Sequence, residues 1–251
     1  MEAIIRLDHV GLSFRRDGQS TEVLHGLSLS VPAGRFVAII GPSGVGKSTL
    51  LRVIAGLLPP TSGRVTIAAR RDAGRLPVAL VFQDARLLPW RKVASNVSFG
   101  LEHGRFSASQ RREKAEAALA LVGLSGYSER YPHELSGGQR QRVALARALA
   151  VDPDILLMDE PFAALDAITR EALQGELARI HAATGKTVLF VTHSIDEALF
   201  LADEVVAIAG KPGRLAVTVP VAAARPRQRN TPEIAELAQR LRIELQETVT
   251  A

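Results

Sequence analysis

Apolar residues in this chain gather in short runs separated by glycine, proline and polar turns. Ile4–Leu7, Leu27–Val31 and Phe36–Ile40 are apolar or alternating, with Gly, Pro and Asp clustered between them, and predict a β-rich N-terminal region. The spacing then turns helical. Leu50, Leu51, Val53 and Ile54 share one face of a predicted helix over 46–57, which Pro59-Pro60-Thr61-Ser62-Gly63 stops. Val65–Ile67 and Val78–Phe82 predict strands, and from about 84 to 150 the texture is helical. Ser107 or Ser109 caps a helix reaching about Val122, and another helix begins after Ser136 and runs to about Ala150. The runs at 155–159 and 187–191 are apolar and bounded by polar turns, as in parallel strands buried on both faces. A helix over about 167–183 lies between them. Ala224-Arg225-Pro226-Arg227 reads as a linker to a final amphipathic helix over about 232–247.

Strands alternating with helices predict an α/β protein. With 251 residues, 47% hydrophobic and 23% charged, the chain fits one large domain or a domain with an inserted subdomain. It has no cysteine, which excludes disulfides and Cys-ligated zinc, and no apolar run near the roughly 20 residues that span a bilayer. The first ten residues do not read as a secretory signal, so a cytosolic location is expected. The net charge is +5, but the arginines are scattered (Arg15 and Arg16, Arg70 and Arg71, Arg111 and Arg112, Arg140 and Arg142) without a block of like charge. That distribution reads as a solvated surface, and no nucleic-acid partner is expected.

Two motifs carry chemistry. Gly41-Pro42-Ser43-Gly44-Val45-Gly46-Lys47-Ser48-Thr49 follows a predicted strand and opens a predicted helix, the setting of a phosphate-binding loop. Its glycines let the backbone approach phosphate oxygens, its N–H groups and the helix start attract the anion, Lys47 reaches the β- and γ-phosphates, and the Ser48 hydroxyl can ligate Mg²⁺. The strand at 155–158 runs into Asp159 and Glu160. Asp159 suits a Mg²⁺ shell, and Glu160, facing the other way, can polarise an attacking water. An acidic pair can also simply end a strand at the surface.

At Leu135-Ser136-Gly137-Gly138-Gln139 the chain resembles the ATP-binding subunit of ATP-binding cassette transporters, over about residues 5–215. The adjoining run Gln139–Leu149 matches as well. The resemblance implies an α/β phosphate-loop ATPase with a mixed, mainly parallel sheet, an N-terminal antiparallel β region and an inserted helical signature subdomain. It divides the chain into a core (1–83 and 151–220), the subdomain (84–150) and a C-terminal linker and helix (221–251). It implies ATP and Mg²⁺ as cofactors. Ser136, Gly137, Gly138 and Gln139 would hold the γ-phosphate of ATP bound to a second subunit, so the working form is a homodimer. Gln83 matches the glutamine that contacts Mg²⁺, His193 the switch histidine that contacts the γ-phosphate, and Asp166 the residue that signals across the dimer. Ala163 stands where the family usually has Ser, or Gly in some importers. Phe14 takes the place of the aromatic that stacks on adenine, and can equally be a core residue. Lys47, Gln83, Glu160 and His193 are the implied catalytic set; Ser48, Gln83 and Asp159 face the metal.

Phe82-Gln83-Asp84-Ala85-Arg86-Leu87-Leu88-Pro89-Trp90-Arg91 is similar to the importer subfamily for nitrate, aliphatic sulfonates and taurine. Leu87, Leu88 and Trp90 fall where that family docks its permease, although such a loop can also pack on its own helices. The resemblance implies an ATP-hydrolysing importer subunit, peripheral at the cytoplasmic face of the inner membrane, with separate permease subunits and an extracytoplasmic solute-binding protein. A non-transport cassette or an exporter-type cassette is the alternative.

Overall fold

A computed structural model describes residues 2–16, 18–69, 76–102, 104–229 and 231–250. Arg70 and Arg71, noted above, lie outside the described residues. In chain order the elements are β1 (Ala3–Arg16), β2 (Gln19–Pro32), β3 (Phe36–Ile40), α1 (Lys47–Ile54), β4 (Ser62–Ile67) and β5 (Val78–Val81). There follow α2 (Val93–Val97), α3 (Ala108–Leu121), α4 (Gly137–Ala150), β6 (Ile155–Asp159) and α5 (Ala167–Thr184). The chain finishes with β7 (Thr187–Val191), α6 (Ile195–Leu201), β8 (Glu204–Ala209), β9 (Arg214–Pro220) and α7 (Pro232–Thr250). It divides into two compact units, Met1–Ala68 with Thr187–Ala251, and Ala69–Lys186.

In the first unit β1 lies between β2 and β4 in an antiparallel sheet. Ile5, Leu7, Val10 and Leu12 of β1 oppose or neighbour Leu24, Leu27 and Val31 of β2, all buried. The register slips between Leu7 and Val10, where His9 takes a left-handed φ of 48°. Such bulges turn a long strand without ending it. β3 runs parallel between β7 and β8, and β9 adds to β8 antiparallel. Every residue of β3 and β7 is buried, as expected of strands covered on both faces. Phe36 and Phe190 meet across this pair with ring centroids 5.8 Å apart. α6 packs on β3 and β8, while α7 packs on α6, β8 and β9. Ile234, Ala238 and Leu241, at helical spacing, form the buried stripe of α7. Burying Ile234 and Leu241 contributes about 1.5–3 kcal/mol each, and the smaller Ala238 less.

The buried Arg227 fastens the segment ahead of α7 to the end of α6. Its guanidinium donates to the carbonyls of Leu199 (3.2 Å), Phe200 (3.4 Å), Ala202, Val221 (3.0 Å) and Ala223 (3.0 Å). Helix C-termini leave carbonyls without partners, and a cation there satisfies both the hydrogen-bonding need and the dipole.

The second unit holds the parallel pair β5–β6, in register from Val78↔Ile155 to Val81↔Met158. α4 packs against α2, α3, α5 and β5. Ser107, rather than Ser109, caps α3, through a reciprocal pair with Gln110. α1 is shorter than the predicted 46–57 because Gly56 turns left-handed, φ 72°, and leaves Leu57 exposed. β1 and β2 are longer than the predicted runs, at 14 residues each.

Candidate active site

The phosphate loop joins the end of β3 to the start of α1 in the first unit. Gly46 caps α1 at φ 104°, a conformation that strains any residue with a Cβ. A Cβ there would also lie 2.6 Å from the Leu24 side chain. Lys47 is 4% exposed, and its ammonium donates to the carbonyls of Gly41 at 2.8 Å and Pro42 at 3.0 Å. Pro42, Ser43 and Gly44 are exposed at the tip, Val45 is buried, and Ser48 and Thr49 are half-buried.

His193 belongs to the same edge. Ile39 pairs with Val191, and the Thr192 N–H donates to the Ile39 carbonyl at 3.1 Å, so the chain leaves β7 beside the point where the phosphate loop leaves β3. His193 is exposed between a buried Thr192 and the cap of α6. The Thr192 hydroxyl donates to the Glu197 carboxylate at 2.6 Å and accepts from the Ser194 N–H at 3.0 Å. Ser194 accepts in turn from the Glu197 N–H at 3.2 Å. This closed set fixes the backbone on both sides of His193. Phe14 lies on β1 opposite Thr21 and is 45% exposed, so it is not a core residue.

In the second unit, Gln83 follows β5 and Glu160 follows Asp159 at the end of β6. Because Val81 pairs with Met158, both chains leave this sheet edge side by side. Open α/β sheets bind ligands at such carboxyl-terminal edges. Asp159 is buried, Gln83 is exposed, and Glu160 is half-buried with a left-handed φ of 44°. For a non-glycine residue that conformation costs about 1–3 kcal/mol and tends to mark a functional site.

The signature segment starts α4. Ser136 accepts from the Gln139 N–H at 3.3 Å and the Gln139 side chain accepts from the Ser136 N–H at 2.9 Å. Ser136 and Gly137 are exposed, while Gly138 is buried against α5, where a Cβ would lie 2.5 Å from Thr169 Cγ2. Asp166 caps α5 by accepting from the Thr169 N–H at 3.0 Å, and that bond holds its carboxyl below the ordinary carboxylate range. Gln141 donates to the Phe82 carbonyl at 3.1 Å, and Arg147 donates to the carbonyls of Ala85 (2.7 Å) and Arg86 (2.9 Å). α4 is thereby tied to the segment that follows β5.

Sequence reasoning gave no role to Thr169, Gln141, Arg147, Thr192 or Glu197. Gln141 and Arg147 stand in the run that matched the signature helix. The Ser194-x-x-Glu197 cap pattern was visible in the chain. Nothing in the sequence marks Thr169 as the wall facing Gly138.

Residues 24–163 match the family model for the ABC transporter. The chain belongs to the ABC transporter ATP-binding family. The cassette is 45% identical over 244 residues to an uncharacterised ABC transporter ATP-binding protein of Methanocaldococcus jannaschii, covering 96% of this chain and 91% of the relative. It is 48% identical over 232 residues to an aliphatic sulfonates import ATP-binding protein of Rhodococcus jostii, covering 92% and 90%. It is also 48% identical over 217 residues to a taurine import ATP-binding protein of Pseudomonas aeruginosa, covering 86% and 82%. Among solved structures it resembles an ATP-binding cassette captured as a dimer after hydrolysis with ADP and phosphate. The TM-score is 0.76 at 33% identity, over 88% of this chain and 100% of that one. The cassette therefore has the α/β phosphate-loop fold of an ABC ATPase.

Among the described residues no group of three or more His, Cys, Asp or Glu side chains is arranged to hold a metal ion. Mg²⁺ is usually held by one or two side chains together with substrate phosphates, through oxygen donors of the kind that Ser48, Gln83 and Asp159 carry. No helix among the described residues is long and apolar enough to cross a membrane.

Proposed function

We propose that this cassette is the ATP-hydrolysing subunit of an importer for a small sulfonate-bearing solute, an aliphatic sulfonate or a taurine-like zwitterion, working as a homodimer at the cytoplasmic face of the membrane. The braced Lys47 loop, at the same strand edge as His193, is the observation that carries this reading. The sulfonate and taurine relatives support the substrate class.

In this reading Lys47 and the loop N–H groups hold the β- and γ-phosphates, with Phe14 against the adenine. Ser48, Gln83 and Asp159 hold Mg²⁺, which when bound neutralises charge on the phosphate oxygens. Glu160 accepts a proton from the attacking water, and His193 contacts the γ-phosphate. Ser136, Gly137, Gly138 and Gln139 serve the nucleotide of the partner subunit, and Asp166 faces that subunit. Leu87, Leu88 and Trp90 dock a separate permease, which a solute-binding protein supplies.

Glu160→Gln tests the chemistry. The variant keeps ATP affinity, accumulates as an ATP-bound dimer on size exclusion, and turns over about 10²–10⁴-fold more slowly, the usual contribution of a general base. Turnover at the normal rate would remove Glu160 from that role.

A further inference from the structure

Asn96 sits on α2 and is completely buried, 0% exposed. Its amide nitrogen lies 2.9 Å from the carbonyl of Arg91, 3.1 Å from that of Leu88 and 3.2 Å from that of Lys92. Its side-chain carbonyl accepts from the Leu88 N–H at 2.7 Å. A carboxamide has two N–H donors and one acceptor oxygen. All of that capacity is directed at one short stretch of backbone, and Leu88 is held through both its N–H and its carbonyl.

Inside that grip the Arg91 N–H donates to the Leu88 carbonyl at 3.1 Å. Leu88-Pro89-Trp90-Arg91 is thus a hydrogen-bonded turn, with proline at its favoured second position. Trp90, at the third, is 72% exposed. Among the described residues the stretch is also tied by the ion pairs Arg91–Glu102 and Lys92–Glu129 and by the Arg91 guanidinium over the Phe99 ring at 5.1 Å, all on side chains that reach solvent, where such contacts contribute little. Losing the buried amide matters more, because the Leu88 N–H and the Arg91 carbonyl lose it as partner, while the Leu88 and Lys92 carbonyls keep their backbone N–H donors.

We infer that Asn96 is a positioning residue for permease docking, holding the Trp90 turn rigid before any partner arrives. The inference rests on the docking reading of Leu87, Leu88 and Trp90 given above. An exposed tryptophan on a fixed backbone binds at a lower ordering cost than one on a mobile loop. The grip is separate from the chemistry, because Arg147 independently anchors Ala85 and Arg86 nearer to Gln83.

Trp90 is the only tryptophan in the chain, so intrinsic tryptophan fluorescence of the full-length protein reports this turn alone. In the wild-type chain its time-resolved anisotropy decays with the tumbling of the whole molecule. Asn96→Ala introduces a fast component on the nanosecond scale of loop motion. Far-UV circular dichroism is unchanged and ATP turnover stays within about twofold, as for distant, uncoupled sites. Asn96→Ser, which retains a hydroxyl but cannot reach all four groups, is read in the same way should the alanine variant fail to fold. An Asn96 with only a structural role would lower the melting temperature without freeing Trp90. Anisotropy decays that superimpose on the wild type overturn the inference. A Trp90→Ala chain that assembles normally with its permease overturns instead the docking reading, whatever the anisotropy shows.

Discussion

The Lys47 ammonium donates to the carbonyl of Gly41 at 2.8 Å, joining the first helical residue of α1 to the point where the chain leaves β3. The side chain proposed to meet the phosphates therefore also braces the loop whose N–H groups are proposed to hold them. Lys47→Ala removes both functions. ATP turnover falls at least about a hundredfold, the scale on which preorganised charge acts. Nucleotide binding, followed by equilibrium dialysis, weakens in parallel. Unchanged affinity and turnover would contradict the phosphate-loop assignment.

Gly138 has two possible reasons to be glycine, and they can be separated. A Cβ would meet Thr169 Cγ2 at 2.5 Å, and the backbone N–H groups at this helix start are assigned to the partner's γ-phosphate. Gly138→Ala pushes α4 away from α5 and lowers turnover. Adding Thr169→Ser removes the offending methyl while leaving the Thr169 backbone N–H that Asp166 needs. Recovery of turnover in the double variant means that packing alone demands glycine. Recovery of thermal stability without turnover means that the bare backbone is needed by the nucleotide.

Arg227 holds five carbonyls from inside the fold. Arg227→Met keeps the aliphatic stem but strands those carbonyls, at a cost of about 2–4 kcal/mol. For a chain of this size that corresponds to a melting temperature lower by roughly 5–15 °C. Differential scanning calorimetry reads it directly, and a shift below a degree would show that water replaces the guanidinium without loss.

The strands buried on both faces, β3, β6 and β7, were legible within a residue or so because uninterrupted apolar runs between polar turns have few other readings. The cap of α4 was legible at Ser136 and that of α3 as Ser107 or Ser109, since capping chemistry is local, whereas Asp166 was not read as the cap of α5. β1 and β2 were seen only in pieces, because the register shifts around His9 break the alternation that a sequence pattern depends on. α2 and α6, at five and seven residues, are too short to display helical periodicity. Of β9 little showed, because its burial is partial and irregular. The phosphate loop and the Asp159–Glu160 pair could be found from the residues themselves, and Phe14, Gln83, Asp166, His193 and the role of the Ser136 segment only from the resemblance to the cassette family. Arg147 and Thr169 act through contacts far along the chain that spacing does not encode, and Asn96 acts on backbone four to eight residues away through a geometry that no periodic or capping pattern marks.

In the proposed mechanism the active site is half a site: Lys47 and Ser136 of one chain serve different ATP molecules. A mixing experiment tests it. One chain carries Lys47→Ala, and the other carries a signature change that abolishes its own turnover, such as Ser136→Arg. In an isologous dimer, a mixed pair rebuilds one intact site from the second chain's phosphate loop and the first chain's signature. Equal mixing of two inactive chains should therefore restore about a quarter of wild-type ATP turnover, since half the dimers are mixed and each has one of two sites. A mixture that stays as inactive as its components would contradict the account.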